Sequence, residues 1–322
     1  MFLNKFKQLL CLSAVIISFA NASSVSESGT QSKLSGAQQK LAQLEKLNGG
    51  RLGVAAINTA NNQRIQYRSE ERFPMCSTSK FMVAAAILNK SSADPKLLAT
   101  NLHYTQDDLN SNGYAPIAKE HLATGMTVGE MCQAALNYSD NVAMNMLLKQ
   151  LGGPRAVTAY ARSIGDNSFR LDRKEPELNS AIPGDKRDTT TPLAMQNSLQ
   201  NLVLGTALEP VQRQKLQDWL KNNTTGKLRI SAGVPKDWLI GDKTGTGKYG
   251  STNDVGVIWP TGAEPIVLAV YFTQGKSNAK ANDKIIADAT RIVVEEFAKN
   301  DSKLKLSYTY KLNESHPRVT AK

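Results

Sequence analysis

Apolar residues recur at helical spacing through residues 34–48 (LSGAQQKLAQLEKLN), and Gly49-Gly50 marks the stop. Two stretches follow, RLGVAAIN and QRIQYRS, set around an Asn-Asn turn, and they read as strands. Helical spacing returns near 79–89, across 127–151 and over 154–164. Between 168 and 192 Pro, Asp, Arg and Thr dominate and no period survives; inside a compact domain such a stretch is functional or disordered. A helix near 207–222 precedes three strand candidates, WLIGDKTGT, DVGVIWP and PIVLAVYFT, and a last helix covers about 283–299. Strands, then helices, then strands predict an α/β (α+β) fold. Its mostly antiparallel sheet is built from both chain ends and flanked by helices, with an all-helical subdomain, about 76–221, inserted between them. Beyond Asp301, KLKLSYTYKL alternates with a strand period and could extend a sheet edge, but a basic, mobile terminus is the favoured reading, because chain ends order poorly.

Composition changes this picture mainly at the start of the chain. Lys5 and Lys7, an apolar run from Leu9 to Phe19 and the triplet Ala20-Asn21-Ala22 predict a signal peptide over 1–22, cleaved after Ala22. The run is shorter than the roughly 20 residues needed to span a bilayer. A flexible leader (23–33), a main domain (34–300) and a basic C-terminal tail (301–322) follow. Export implies a secreted protein, in the periplasm of a Gram-negative bacterium, with no membrane partner after cleavage and a monomer as the default. Net charge is +11 for the whole chain; without Lys5 and Lys7, 37 basic residues face 28 acidic ones, leaving +9. No basic run is interleaved with aromatics, so nucleic acid is not an expected partner, and the charge suits a solvated surface and anionic substrates. Cys11 leaves with the leader, and Cys76 and Cys132 remain. There is no C-x-x-C, and His103, His121 and His316 are far apart, so no metal site is expected.

Four constellations carry candidate chemistry. Ser77-Thr78-Ser79-Lys80 opens the apolar helical run FMVAAAIL, placing Ser77 and Lys80 about one turn apart on one face. The helix start favours negative charge on the Ser oxygen, and Lys80 can relay its proton. Alone, S-x-x-K is weak: it recurs at Ser277–Lys280 and Ser302–Lys305, and a helix cap beside a surface lysine explains it equally well. Ser139-Asp140-Asn141 interrupts a helical stretch, either as a cap or as a turn presenting Ser139 and Asn141 to a cleft. Lys243-Thr244-Gly245-Thr246-Gly247 lies on a strand candidate, where glycine marks close approach of a ligand or another backbone, and Lys243 with two hydroxyls makes a carboxylate-binding edge. The irregular segment holds Arg173, Glu175-Pro176, Asn179 and Asp188, and Glu175 with Asn179 could hold a water.

In this order, and with the flanking text FPMCSTSK, YSDNVAMN, FRLDRKEPELNSAIPGDKRDTTTP and GDKTGTG, the chain resembles class A serine β-lactamases over roughly residues 35–299, nearest the cefotaximase (CTX-M) subgroup. The resemblance implies hydrolysis of penicillins and cephalosporins without metal or cofactor. By it, Ser77 is the nucleophile, the N–H groups of Ser77 and Thr246 form the oxyanion hole, and Lys80 and Glu175 are both candidate bases for acylation. Glu175 with Asn179 activates the releasing water, and Ser139 protonates the leaving nitrogen. Lys243, Thr244, Gly245 and Thr246 hold the substrate carboxylate, Asn141 holds its amide side chain, and Tyr114 stands at the rim. Arg173 and Asp188 close an omega loop around Pro176, whose peptide bond is a plausible cis site.

The chain also departs from that pattern. Thr252 stands in the neighbourhood where many relatives carry an arginine, and Arg229 is its expected replacement. Some relatives join a cysteine before the nucleophile to one after Lys-Thr-Gly; here Cys76 faces Gly247 instead. Cys132 lacks its usual partner as well, since Ala84 stands there, so two free thiols are expected. The rival readings are a D-Ala-D-Ala peptidase of the penicillin-binding type, against which the Glu175–Asn179 pair argues, and a β-lactam sensor that stays acylated, which needs a membrane-spanning segment.

Overall fold

The computed structural model describes residues 35–315, with side chains through Tyr308. The expected signal peptide, the leader and the end of the tail, His316 included, lie outside the described residues. Helix α1 (Gly36–Asn48) begins at a capping box between Ser35 and Gln38 and ends at Gly49, whose φ of 59° suits a residue without a Cβ. Strands β1 (Arg51–Asn58) and β2 (Arg64–Tyr67) form a hairpin, and β3 (Phe73–Pro74) leads into the helical region. There α2 (Ser79–Ala93), β4 (Asn101–Leu102), α3 (Gln106–Asn112), β5 (Met126–Thr127), α4 (Val128–Asn137), α5 (Asn141–Leu151) and α6 (Pro154–Ser163) follow in turn. The irregular segment holds one short 3-10 turn, Glu177–Ser180, and β6 (Thr189–Thr190), which pairs with β3. Helices α7 (Pro192–Leu199) and α8 (Pro210–Lys221) return the chain to β7 (Leu239–Thr246), β8 (Thr252–Trp259) and β9 (Ile266–Thr273); α9 (Asp283–Ala298) and α10 (Ser302–Ser315) complete it.

The main sheet runs β2-β1-β9-β8-β7, antiparallel at every junction. β1 pairs with β9 along its whole length, from Arg51↔Thr273 to Asn58↔Ile266, which joins the two ends of the chain as expected. Both faces of the sheet are covered, and this is why β9 reads as an unbroken apolar run. Ile266, Leu268, Val270 and Phe272 belong to the core shared with α1 and α9, and Val267, Ala269 and Tyr271 to the core shared with the helical region. Among the described residues no helix is long and apolar enough to cross a membrane.

Three features differ from the sequence pattern. The run 127–151 is two helices, α4 and α5, broken at Tyr138–Asp140. α7, packed against β1, β8 and β9, was hidden because its start, Thr191-Pro192, reads as loop; Thr191 is the cap and Pro192 the first helical residue. The tail is neither strand nor mobile end, for residues 302–315 form α10, docked on α9. Leu304 is fully buried and Tyr308 nearly so, with the Tyr308 ring 6.0 Å from that of Trp238, whose Nε1 donates to Ser307 Oγ at 3.0 Å. Leu304 and Tyr308 are four residues apart, so the alternating sequence also satisfies a helical face, and the apolar surface beside it decides the outcome.

Leu304→Ala should therefore lower the unfolding free energy by about 2–4 kcal/mol, seen as a fall in the urea midpoint. An unchanged midpoint would show that α10 is not docked in solution.

Candidate active site

The turn that carries Ser77 is held from three sides. Met75 N donates to Asp188 O at 2.9 Å, Asn253 Nδ2 donates to Pro74 O at 2.9 Å, and the Thr78 hydroxyl bonds Met75 O at 2.8 Å and meets Tyr271 Oη at 3.2 Å. Cys76 takes a left-handed φ of 48° and a 3-10 turn follows, which leaves Ser77 half-buried at the head of α2. Left-handed backbone at non-glycine residues costs on the order of 1–3 kcal/mol and persists where surroundings over-determine it. Ser139 (φ 60°) and Asp188 (φ 55°) share this conformation, so three such residues border one cleft.

Lys80 is fully buried at the centre. Its Nζ lies 2.8 Å from Glu175 Oε1, 3.0 Å from Ser77 Oγ, 2.9 Å from Ser139 O and 2.7 Å from Asn141 Oδ1, with Ser139 Oγ at 3.3 Å. The Ser77 hydroxyl donates to Glu175 Oε1 at 3.2 Å. Asn179 Nδ2 donates to the other oxygen, Glu175 Oε2, so the carboxylate is fixed at both ends. The Ser139-Asp140-Asn141 stretch is both of its sequence readings at once. Asp140 caps α5 through Ala143 N at 2.9 Å and holds the N–H groups of Ile117 and Ala118 with its other oxygen, while Ser139 and Asn141 turn toward Lys80. Asn141 also donates through Nδ2 to Asn112 O at 3.0 Å. Tyr114, whose carbonyl accepts from Asn141 N, is 59% exposed at the edge of the cleft.

The opposite wall is β7. Lys243 is fully buried, with Nζ 3.2 Å from Ser139 Oγ and 2.9 Å from Thr244 O. Burial first, then the charge of Lys80, pulls its pKa down to about 7. Thr244 Oγ1 meets Thr225 Oγ1 at 2.6 Å. A Cβ on Gly245 would stand 2.6 Å from Met75 O and 3.1 Å from Thr78 N, so only glycine lets β7 run this close to the nucleophile turn. Arg229 is buried beside the strand end. It donates to Gly245 O at 2.9 Å, Asn253 O at 2.7 Å and Thr246 Oγ1 at 2.6 Å, and it pairs with Asp283 at 2.7 Å. Thr252 is buried against Gly250 O and Asn282 N, so it offers nothing to the cleft.

The irregular segment closes as its residues suggest. Arg173 Nε bonds Asp188 Oδ2 at 2.5 Å, and Asp188 Oδ1 accepts from the N–H groups of Asp172 and Arg173. The Glu175–Pro176 bond is cis. Cys76 and Cys132 are free and buried, and burial pushes both thiols up, which makes them poor nucleophiles.

Several supporting residues escaped the sequence reading. Asn145, one helical turn beyond Asn141, grips the backbone of Glu175, accepting from its N at 3.0 Å and donating to its O at 2.9 Å. Its signal was present: two asparagines at i, i+4 on an otherwise apolar helix face. Asp242 and Asp254 face each other across β7 and β8 behind Lys243; burial raises both, and the Asp242 charge lifts Asp254 well above the usual carboxylate range. Asn223 Nδ2 donates to Asp242 Oδ2 at 2.7 Å and Ile230 N to Asp254 Oδ2 at 3.0 Å.

Comparison with known proteins gives one consistent answer. The model of the "Beta-lactamase enzyme family" matches residues 36–297. The chain is 56% identical over 258 residues to Beta-lactamase OXY-1 of Klebsiella oxytoca, covering 80% of this chain and 88% of that one. It is 56% identical over 260 residues to Beta-lactamase CTX-M-97 of Escherichia coli, covering 81% and 89%. Among solved structures, the crystal structure of a β-lactamase from Desulfarculus baarsii DSM 2075 superposes with a TM-score of 0.80 at 50% identity, covering 82% of this chain and 99% of that one.

A Cβ at position 247 would lie 2.6 Å from Cys76 Sγ, within the span of a disulfide once the sulfurs turn to a 2.0 Å bond on the order seen in proteins. Gly247→Cys should thus close a bond to Cys76 and leave Cys132 as the one titratable thiol of the denatured mature protein. Full thiol reactivity of the variant would show that the two backbones do not approach as described.

Proposed function

The chain belongs to the β-lactamase enzyme family, as a class A serine β-lactamase that hydrolyses the β-lactam amide through an acyl-enzyme, and from that premise we propose which of its residues carry each step. The observation that carries the reading is the closed set of contacts among Ser77 Oγ, Lys80 Nζ and Glu175 Oε1, all within 2.8–3.2 Å, with Asn179 on the second carboxylate oxygen.

Ser77 Oγ attacks the lactam carbonyl, and its proton passes to Glu175. Lys80 is the weaker candidate for this base. Three of its neighbours, Glu175 Oε1, Ser139 O and Asn141 Oδ1, only accept hydrogen bonds, and Ser77 Oγ accepts from it at 3.0 Å, so Nζ stands as a donor shared among four oxygens. The Asn141 orientation is supported by its donation to Asn112 O. The ammonium instead steadies the developing alkoxide, and the carbonyl oxygen is stabilised by the N–H groups of Ser77 and Thr246. As the C–N bond breaks, Ser139 protonates the nitrogen. Its proton is replaced from Lys80, and that of Lys80 from Glu175, which restores the carboxylate. A water held by Glu175 and Asn179 then gives its proton to Glu175 and attacks the ester, and Ser77 leaves with that proton.

Lys243, Thr244 and Thr246 bind the substrate carboxylate of penicillins and cephalosporins. Arg229 steadies Thr246 and adds positive field, and Gly245 keeps the strand close. Asn141 retains a second N–H for the substrate amide, and Tyr114 flanks the entrance. Arg173, Pro176 and Asp188 shape the loop that positions Glu175. The enzyme works as a monomer, and the signal-peptide pattern of residues 1–22 supports export to the periplasm of a Gram-negative bacterium. The helical region 76–221 and the sheet act as the two walls of the cleft.

Ser77→Ala should abolish covalent labelling by benzylpenicillin in mass spectrometry; normal labelling would remove Ser77 as nucleophile. Glu175→Gln should accumulate acyl-enzyme and slow its formation by about 10²-fold or more. Labelling at the wild-type rate would make Lys80 the acylation base. Lys243 holds its charge below a pH of about 7 and loses it above, so kcat/KM for an anionic substrate should fall as pH rises through that value. Lys243→Arg, which stays charged, should remove that limb of the profile; a limb that persists would assign it to another group.

A further inference from the structure

A cavity of ≈ 670 Å³ opens behind the catalytic loop, between residues 178–187 and the ends of β1 and β9. Five cationic side chains line it, Arg51, Arg72, Arg173, Lys186 and Arg187, against two carboxylates, Glu71 and Asp185. Those carboxylates are already committed. Glu71 bonds Arg51 at 3.0 Å and Arg68 at 2.8 Å, and Asp185 bonds Arg187 at 2.8 Å with Arg173 at 3.8 Å. Arg72 differs from the other arginines. It is half-buried, and among the described residues no carboxylate lies within ion-pair distance. Its Nη1 donates to Ser168 O at 2.8 Å and Thr189 Oγ1 at 3.0 Å, and the residue lines the cavity. Burial first, and then the positive charges of Arg170 and Arg162, press its pKa down, and the more distant Asp166 offsets this only in part.

We propose that this cavity is a second binding site, for a small phosphate-class dianion, held by Arg72 from within and by the exposed Lys186 from the solvent side. Arg173 is also paired with Asp188 at 2.5 Å, so among the described residues two lining cations, Arg72 and Lys186, have no carboxylate partner. Such a concave surface concentrates anions, and guanidinium forks match phosphate oxygens. A tetrahedral dianion matches both charges and offers oxygens to different walls at once; a monocarboxylate would leave one of them unmet. The site is separate from the reaction, yet its wall includes Leu178 and Ala181, on either side of Asn179.

Calorimetric titration of the mature full chain with inorganic phosphate, at ionic strength held constant with sodium chloride, tests the proposal. Saturable one-to-one binding is expected, weakened about tenfold or more in Arg72→Gln and in Lys186→Glu, with a phosphate-dependent rise in Tm that the variants lose. Arg72→Gln also gives up bonds to Ser168 and Thr189; Lys186 is exposed and gives up none that the structure shows, so Lys186→Glu keeps the test decisive if the first variant unfolds. Titration with glycerol 3-phosphate separates a free ion from an esterified headgroup: tighter binding of the ester assigns the site to the latter, tighter binding of inorganic phosphate to the former. Heat that does not saturate, or equal affinity in wild type and Lys186→Glu, overturns the proposal.

Discussion

The structure turns on a buried ion pair. Lys80 and Glu175 meet at 2.8 Å with no side-chain exposure on either partner. Withdrawing two such charges from water costs several kcal/mol per ion, and their attraction compensates only when the remaining donors and acceptors are satisfied as well. That requirement propagates outward. Ser139 must present its carbonyl inward, which its left-handed backbone allows, and Asn141 must turn its oxygen inward, which Asn112 fixes. Glu175 must be held by its own main chain, which Asn145 does. The loop bearing Glu175 must stay against the nucleophile turn, which Asp188 secures by accepting from Met75 N and pairing with Arg173. Ser139 and Asp188 meet the requirement by left-handed backbone, Asn141 and Asn145 from within α5, and all serve the same pair of charges.

The second wall of the cleft is polarised in the same sense. Lys243, Arg229 and Lys80 cluster on the side proposed to meet an anionic substrate, while burial raises both Asp242 and Asp254. The two carboxylates in turn oppose the burial and the Lys80 charge that pull Lys243 down.

Much of this was legible in the chain, and the reasons are local. Sheet strands such as RLGVAAIN and PIVLAVYFT announce themselves because their side chains are apolar on both covered faces. Ser139 stood out as a polar break in a helical stretch and Lys243 as a charge beside glycines on a strand; Ser77, Lys80, Glu175 and Asn179 were singled out by motif order and flanking text, through the resemblance to class A β-lactamases, and the structure gathers all six into one cleft. What stayed hidden depends on partners distant in sequence. The i, i+4 spacing of Asn141 and Asn145 marks a polar stripe on α5, but only the fold shows that its partner is the Glu175 backbone. Arg229 was expected at this site only through the resemblance, and nothing in its flanking residues shows that it reaches around the end of β7 to Thr246. The tail misled for the same reason: KLKLSYTYKL satisfies two periods, and Trp238 with α9 selects the helical one.

The approach of β7 to the nucleophile turn is made by backbone against backbone at Gly245, where no side chain fits. The reacting geometry is therefore insulated from mutation, because the position that sets it has no tolerated alternative and contributes no chemistry of its own. Tyr114 at the rim and Thr246 at the strand end, proposed to meet the substrate, are by contrast exposed side chains. A change of side chain at the rim alters what the entrance presents while leaving in place the backbone contact that sets the distance between strand and nucleophile.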